Sequence, residues 1–214
     1  MTHFNSVVFD VDSTLSGIEG IDWLASLRGG EVRRWSAELT DRAMRGEIPI
    51  EAVYSERMNK VRPTKSEIAK LASEYVTRIA NGARETLTAL AAENINLAMI
   101  SGGLREAILP LARELGVGDK NVRAVSVFFD ADGEYAGFEE SSPLTRQTGK
   151  KSIVAAMGLK GPILAVGDGM TDCEMKSEVS KFAAFTGFTR REQVVERADF
   201  VIENFDQLRE LILK

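Results

Sequence analysis

The stretch Ser6–Val7–Val8–Phe9–Asp10–Val11–Asp12–Ser13–Thr14 decides how this chain is read. A short, mainly apolar run closed by two acids predicts a buried strand with Asp10 and Asp12 at its carboxyl end. An Asp-x-Asp pair alone is a weak signal, because most such pairs are loop or capping acids. Three further runs resemble the first, at Ile95–Ile100, Ile163–Val166 and Lys181–Phe185, and Phe200–Ile202 is a fifth candidate. Helical patterns fall between several of them, over Leu104–Leu115, Lys151–Met157, Thr171–Val179 and Thr189–Arg197. This alternation predicts an α/β fold, a parallel sheet covered by helices. Residues Asn121–Phe138 break the rhythm, and their Asp130–Ala131–Asp132–Gly133 turn predicts a hairpin.

Residues 17–80 contain no good strand. They hold three or four helical stretches, one opened by the capping box Thr64–Lys65–Ser66–Glu67 after Pro63. A helical block set directly behind the first strand reads as a cap, since open α/β sheets bind ligands at the carboxyl ends of their strands. The alternative is that these helices join one larger core. The expected division is a core of residues 1–16 and 81–214 and a helical cap of residues 17–80. The chain shows no internal repeat and no low-complexity segment.

Composition narrows the chemistry. With 214 residues, 44% hydrophobic and 28% charged, the chain reads as an ordinary globular protein able to bury a core without staples. A net charge of −5 argues against a nucleic-acid partner. Cys173 is the only cysteine, so no intrachain disulfide forms and a reducing compartment is expected. The start of the chain shows no targeting pattern, and no apolar run reaches the roughly 20 residues that cross a bilayer. A cytoplasmic protein without a membrane partner is therefore expected. His3 is the sole histidine, which argues against Ser-His and Cys-His hydrolases and His-rich zinc sites. A cysteine phosphatase needs an arginine where Val179 follows Cys173, and a P-loop needs a glycine where Leu144 precedes Gly149–Lys150. Carboxylates, lysines, hydroxyls and a metal remain.

A second acid cluster, Gly167–Asp168–Gly169–Met170–Thr171–Asp172, follows another apolar run and opens a helix. Alone it is a glycine turn with an N-capping Asp. Two such clusters at the ends of buried strands bring carboxylates together, and converging carboxylates need a cation. Hard oxygen donors suit Mg²⁺. Ser101–Gly102–Gly103 follows a third run and is expected to begin the helix at Leu104, where backbone N–H groups bind anions. Lys150 precedes a further helix and offers a point charge to a phosphoryl oxygen. The order Asp-x-Asp-x-Thr, Ser-Gly-Gly, Lys, Gly-Asp-Gly-x-Thr-Asp carries the argument.

In that order the chain resembles the haloacid dehalogenase superfamily of aspartate-nucleophile phosphotransferases and, within it, the phosphoserine phosphatase family. The closer resemblance rests on Asp10–Leu15 followed by Glu19–Gly20–Ile21–Asp22, and on Arg42–Ala43–Met44 with Gly46 and Pro49. It continues in Ser55–Glu56–Arg57 and Gly133–Glu134–Tyr135–Ala136–Gly137–Phe138. The resemblance implies a three-layer, Rossmann-like core and Mg²⁺-dependent hydrolysis of a small phosphate monoester, phosphoserine, in serine biosynthesis. It implies that Asp10 attacks phosphorus, while Asp12 protonates the leaving alkoxide and then deprotonates water. Mg²⁺ would sit on Asp10, the Asp12 backbone carbonyl and Asp168, supported by Asp172. Ser101, the Gly102 N–H and Lys150 would hold phosphoryl oxygens, with Thr171 also on the substrate and Met44 and Gly103 supporting. Glu19 would meet the ammonium of phosphoserine and Arg57 its carboxylate.

Two departures from the family pattern stand out. Thr145–Arg146–Gln147–Thr148–Gly149 replaces a glycine-rich approach to the lysine, and a longer N-terminal regulatory region found in several relatives is not expected here. Rival readings are another small phosphorylated metabolite, phosphoryl transfer to an acceptor alcohol, or a catalytically silent binding protein. The intact Asp10, Asp12, Lys150 and Asp168 speak against the last. The oligomeric state is left open.

Overall fold

In the computed structural model, which describes residues 4–214 and so leaves His3 outside, eight strands divide into two sheets. They are β1 (Ser6–Phe9), β2 (Asn96–Leu104), β3 (Val122–Val125), β4 (Val127–Phe129), β5 (Tyr135–Phe138), β6 (Ile163–Gly167), β7 (Lys181–Phe185) and β8 (Phe200–Ile202). Six of them form one parallel sheet in the order β3-β2-β1-β6-β7-β8. β1 is central because every one of its residues is buried, and Val8 pairs with Ala98 on one side and Ala165 on the other. The order reverses around β1, which opens a crevice at the carboxyl ends of β1 and β6.

The helices are α1 (Gly20–Ser26), α2 (Gly30–Met44), α3 (Tyr54–Val61), α4 (Lys65–Thr77), α5 (Ala83–Ala92), α6 (Arg105–Glu114), α7 (Gly149–Ala156), α8 (Met170–Cys173), α9 (Glu192–Val195) and α10 (Phe205–Leu213). Phe205 seats α10 on the sheet, its ring 6.2 Å from Phe9 and 5.3 Å from Phe185. Burying a ring of that size is worth about 1.5–3 kcal/mol. Thr86 Oγ1 donates to Phe205 O at 2.9 Å and ties α5 alongside. Among the described residues, no helix is long and apolar enough to cross a membrane.

Helices α1 to α4 form one block between β1 and α5. The capping box is realised: Glu67 N–H donates to Thr64 Oγ1, and Thr64 N–H donates back to Glu67. Arg28 at the end of α1 then grips both oxygens of Glu67 at 2.6 Å, so one acid caps α4 and binds α1 to it. The chain enters and leaves this block side by side. Ser16 bridges Ile79 in antiparallel fashion, flanked by Gly17 N–H to Arg78 O and Ala80 N–H to Leu15 O, each at 2.9 Å.

The structure refines several expected boundaries. β2 runs on through Ser101–Gly102–Gly103 to Leu104, and α6 begins at Arg105. A register shift against β3 between Ile100 and Leu104 makes this stretch a bulged continuation of the strand rather than a helix start. The expected hairpin is present as β4 and β5, but the run before it also supplies β3, the edge strand of the main sheet. The helices expected over Thr171–Val179 and Thr189–Arg197 shrink to the single turns α8 and α9, the first followed by a 3₁₀ turn.

Candidate active site

Asp10 continues the sheet beyond β1, its N–H bonded to Val166 O at 2.9 Å. Its carboxylate therefore stands at the crevice, and only 5% of the residue is exposed. The chain then turns through Ser13, whose φ of 53° is left-handed, and this brings Thr14 Oγ1 to 3.4 Å from Asp168 Oδ1. Asp168 follows β6, as Asp10 follows β1. Gly169 N–H donates to Asp172 Oδ2 at 2.9 Å and fixes that acid in the first turn of α8. Met44, from the end of α2, leans on this turn: a Cβ on Gly169 would lie 2.6 Å from its sulfur.

Lys150 is the second residue of α7 and is buried. Its Nζ donates to Asp10 Oδ1 at 2.5 Å and to Asp172 Oδ1 at 2.7 Å. The lysine therefore bridges the two acid clusters. Asp10, Asp168 and Asp172 each offer a carboxylate oxygen within 4.8 Å of the others. Burial, with this crowding, raises the proton affinity of Asp10 and Asp168. Loss of water and the neighbouring Asp172 push Asp10 up to about 7 against the pull of Lys150. Lys150 is held charged by the same two acids, which outweigh its burial. Asp168 is also pushed well up by burial, with Arg191 pulling the other way.

A second set of side chains lines the same cavity from the helical block. Glu19, just before α1, accepts from Ser13 Oγ at 2.7 Å. Burial, then the charges of Asp12 and Asp22, raise Glu19 to about 8. Arg57 on α3 is held by Asp22 Oδ1 at 2.7 Å and by Ser36 Oγ at 3.1 Å. Tyr54 donates to Gly102 O at 2.8 Å and ties α3 to the bulged end of β2. Thr40 Oγ1 on α2 is buried at the cavity wall with no hydrogen-bond partner. Arg146, from the segment that departs from the family pattern, also lines the cavity.

Every expected site residue lines this cavity or touches a residue that does: Asp10, Asp12, Glu19, Met44, Arg57, Ser101, Gly102, Gly103, Lys150, Asp168 and Thr171 line it, and Asp172 bonds Lys150 behind it. The sequence reading missed Arg191, Tyr54 and Tyr75. Arg191 is buried and forms an ion pair with the Asp168 carboxylate, yet its only sequence signal was an unremarkable surface-helix pattern. Tyr75 Oη donates to Asp12 Oδ1 at 2.6 Å from a helix far along the chain.

Known proteins resemble this chain in sequence and in fold. The chain matches the haloacid dehalogenase-like hydrolase family over residues 4–177. It is 35% identical over 207 residues to phosphoserine phosphatase of Homo sapiens, an alignment covering 95% of this chain and 91% of that one. A phosphoserine phosphohydrolase-like protein from Francisella tularensis superposes with a TM-score of 0.87 at 25% identity, over 97% of this chain and 99% of the other. A phosphoserine phosphatase solved as a phospho-aspartyl intermediate analogue superposes with a TM-score of 0.81 at 25% identity, covering 98% of this chain and 99% of that one.

Proposed function

Because the chain belongs to the haloacid dehalogenase-like hydrolases and, within them, to the phosphoserine phosphatase family, we propose that it hydrolyses O-phosphoserine to serine and phosphate with Asp10 as nucleophile. The observation that carries this reading is the bridge of Lys150 between Asp10 and Asp172 at the crevice of β1 and β6. A carboxylate attacking a phosphate dianion meets like charge, and a fixed cation beside it lowers that barrier.

In the reaction, an Asp10 oxygen bonds to phosphorus while the bond to the serine oxygen breaks. Asp12 gives its proton to that departing oxygen. Asp12 then takes a proton from water, whose oxygen attacks phosphorus, and the Asp10 carboxylate is released with free phosphate. Ser101, Gly102 and Lys150 would hold the phosphoryl oxygens, with Thr171 also on the substrate. The buried, all-oxygen cluster of Asp10, Asp168 and Asp172 fits a hard divalent cation, and we assign Mg²⁺ to it, with the Asp12 carbonyl as a further ligand. When bound, such an ion neutralises charge on the phosphoryl group.

The helical half of the cavity supplies recognition. Glu19 would take the substrate ammonium, Arg57 its carboxylate and Thr40 a remaining polar atom. We further propose that residues 17–80 act as a cap on a core of residues 1–16 and 81–214, a division supported by the crossing at Ser16 and Ile79. A cytoplasmic setting suits the single buried thiol of Cys173. Phosphate release across a panel of phosphorylated metabolites, with and without an added acceptor alcohol, tests the assignment. Phosphoserine should head the panel, and a faster ester or net transfer to the alcohol would replace it.

A further inference from the structure

Tyr75 is outside every motif and unused by the chemistry above. It is fully buried, and a buried phenol needs a partner for its hydroxyl. That partner is Asp12 Oδ1, at 2.6 Å. The same oxygen also accepts the Gly20 N–H at 2.8 Å, whereas among the described residues Oδ2 accepts only from Ser101 Oγ, at 3.2 Å. The space for the phenol is made by Gly20, where a Cβ would lie 2.1 Å from Tyr75 Oη. Tyr75 O accepts Ser16 Oγ at 3.0 Å, which pins this turn of α4 to the crossing rather than to the far end of the helical block.

A carboxyl oxygen has about two acceptor positions. Two donors on Oδ1 fill both, so a proton on Asp12 must sit on Oδ2, the oxygen turned to Ser101. We propose that Tyr75 is a positioning residue: with the Gly20 N–H, it fixes which oxygen of Asp12 carries the proton delivered to the leaving group. This rests on the reading of Asp12 as the general acid. It makes Tyr75 matter in proportion to how poor the leaving group is. The alkoxide of serine cannot depart without a proton, while an acidic phenol can.

The test is Tyr75→Phe, which keeps the ring and removes the hydroxyl. kcat/KM would be measured for phosphoserine and for aryl phosphates of graded phenol acidity, with circular dichroism to check folding. Phosphoserine should lose about tenfold or more, while the most acidic aryl ester changes by less than about threefold. The dependence on phenol acidity should steepen. Gly20→Ala reaches the same bond with the phenol intact and should give the same pattern. An equal loss on every ester, or none, overturns the positioning role. Asp12→Asn, run alongside, separates the failures: if that variant keeps phosphoserine turnover, the reading of Asp12 as acid fails instead.

Discussion

The two halves of the cavity are built differently. On the core side, Asp10, Asp168 and Asp172 converge from the ends of β1 and β6, and Lys150 bridges two of them. Sheet register sets Asp10 and Asp168, and the first turns of α7 and α8 set Lys150 and Asp172 beside them. On the helical side, Arg57 is occupied by Asp22 and Ser36, Glu19 by Ser13, and Thr40 has no partner. Side-chain packing sets those positions, and a ligand must exchange partners with them. In the proposed reading the reacting groups are thus preorganised, while recognition would set Asp22 and the substrate carboxylate in competition for Arg57.

The largest effect should come from the core side. Asp10→Asn should cut phosphate release by more than roughly a hundredfold without unfolding the protein, since an amide is a very poor nucleophile. Residual activity above that level in a folded variant would remove Asp10 from its role.

Chelation should silence the enzyme and Mg²⁺ restore it, with Ca²⁺ a poor substitute because its looser shell accepts bidentate carboxylates. The sign of the pH effect follows from Asp10. This acid titrates near 3.8 in an ordinary setting and at about 7 in the fold. The metal-free fold therefore binds an extra proton between those values, and it loses stability as pH rises through that window. A cation must displace that proton, so Mg²⁺ should raise the melting temperature more at pH 8 than at pH 6. Equal shifts at both would contradict the assignment.

On the helical side the effects should be smaller and selective. Hydrogen bonds to charged groups are worth ~1.5–3 kcal/mol, so Arg57→Ala should cost phosphoserine roughly ten- to a hundredfold in kcat/KM. An activated aryl phosphate should change by less than about threefold. Equal losses for both would show that Arg57 serves closure rather than recognition. Smallest is the pH dependence of Glu19, which is neutral below about 8 and attracts an ammonium only when ionised. KM for phosphoserine should fall as pH rises toward that value, and Glu19→Gln should flatten the change. A flat wild-type profile would place the ammonium elsewhere.

The core side was legible because short apolar runs ending in acids leave little freedom in where those acids go. Asp10, Asp168 and Lys150 could be placed from order alone. The limits of Ser101–Gly103 were not, since a bulged strand and a helix start share the same glycines. β3 was hidden because only Ser126 separates it from the hairpin. Arg191, Tyr54 and Tyr75 reach partners 23, 48 and 63 residues away, and even Tyr54, beside Ser55–Glu56–Arg57, carries no local sign of its partner. Charge pairs made by packing, such as Arg57 with Asp22, leave no spacing to read.

The crossing at Ser16 and Ile79 has an evolutionary meaning. The two ends of the proposed cap lie hydrogen-bonded side by side, so at the crossing the core meets a closed pair of segments. Insertions are tolerated best where both ends already meet. At such a site the proposed cap could be exchanged with both backbone ends already in place, provided the new one also met the core contacts that Tyr54 and Lys65 make with Gly102 and Gly133.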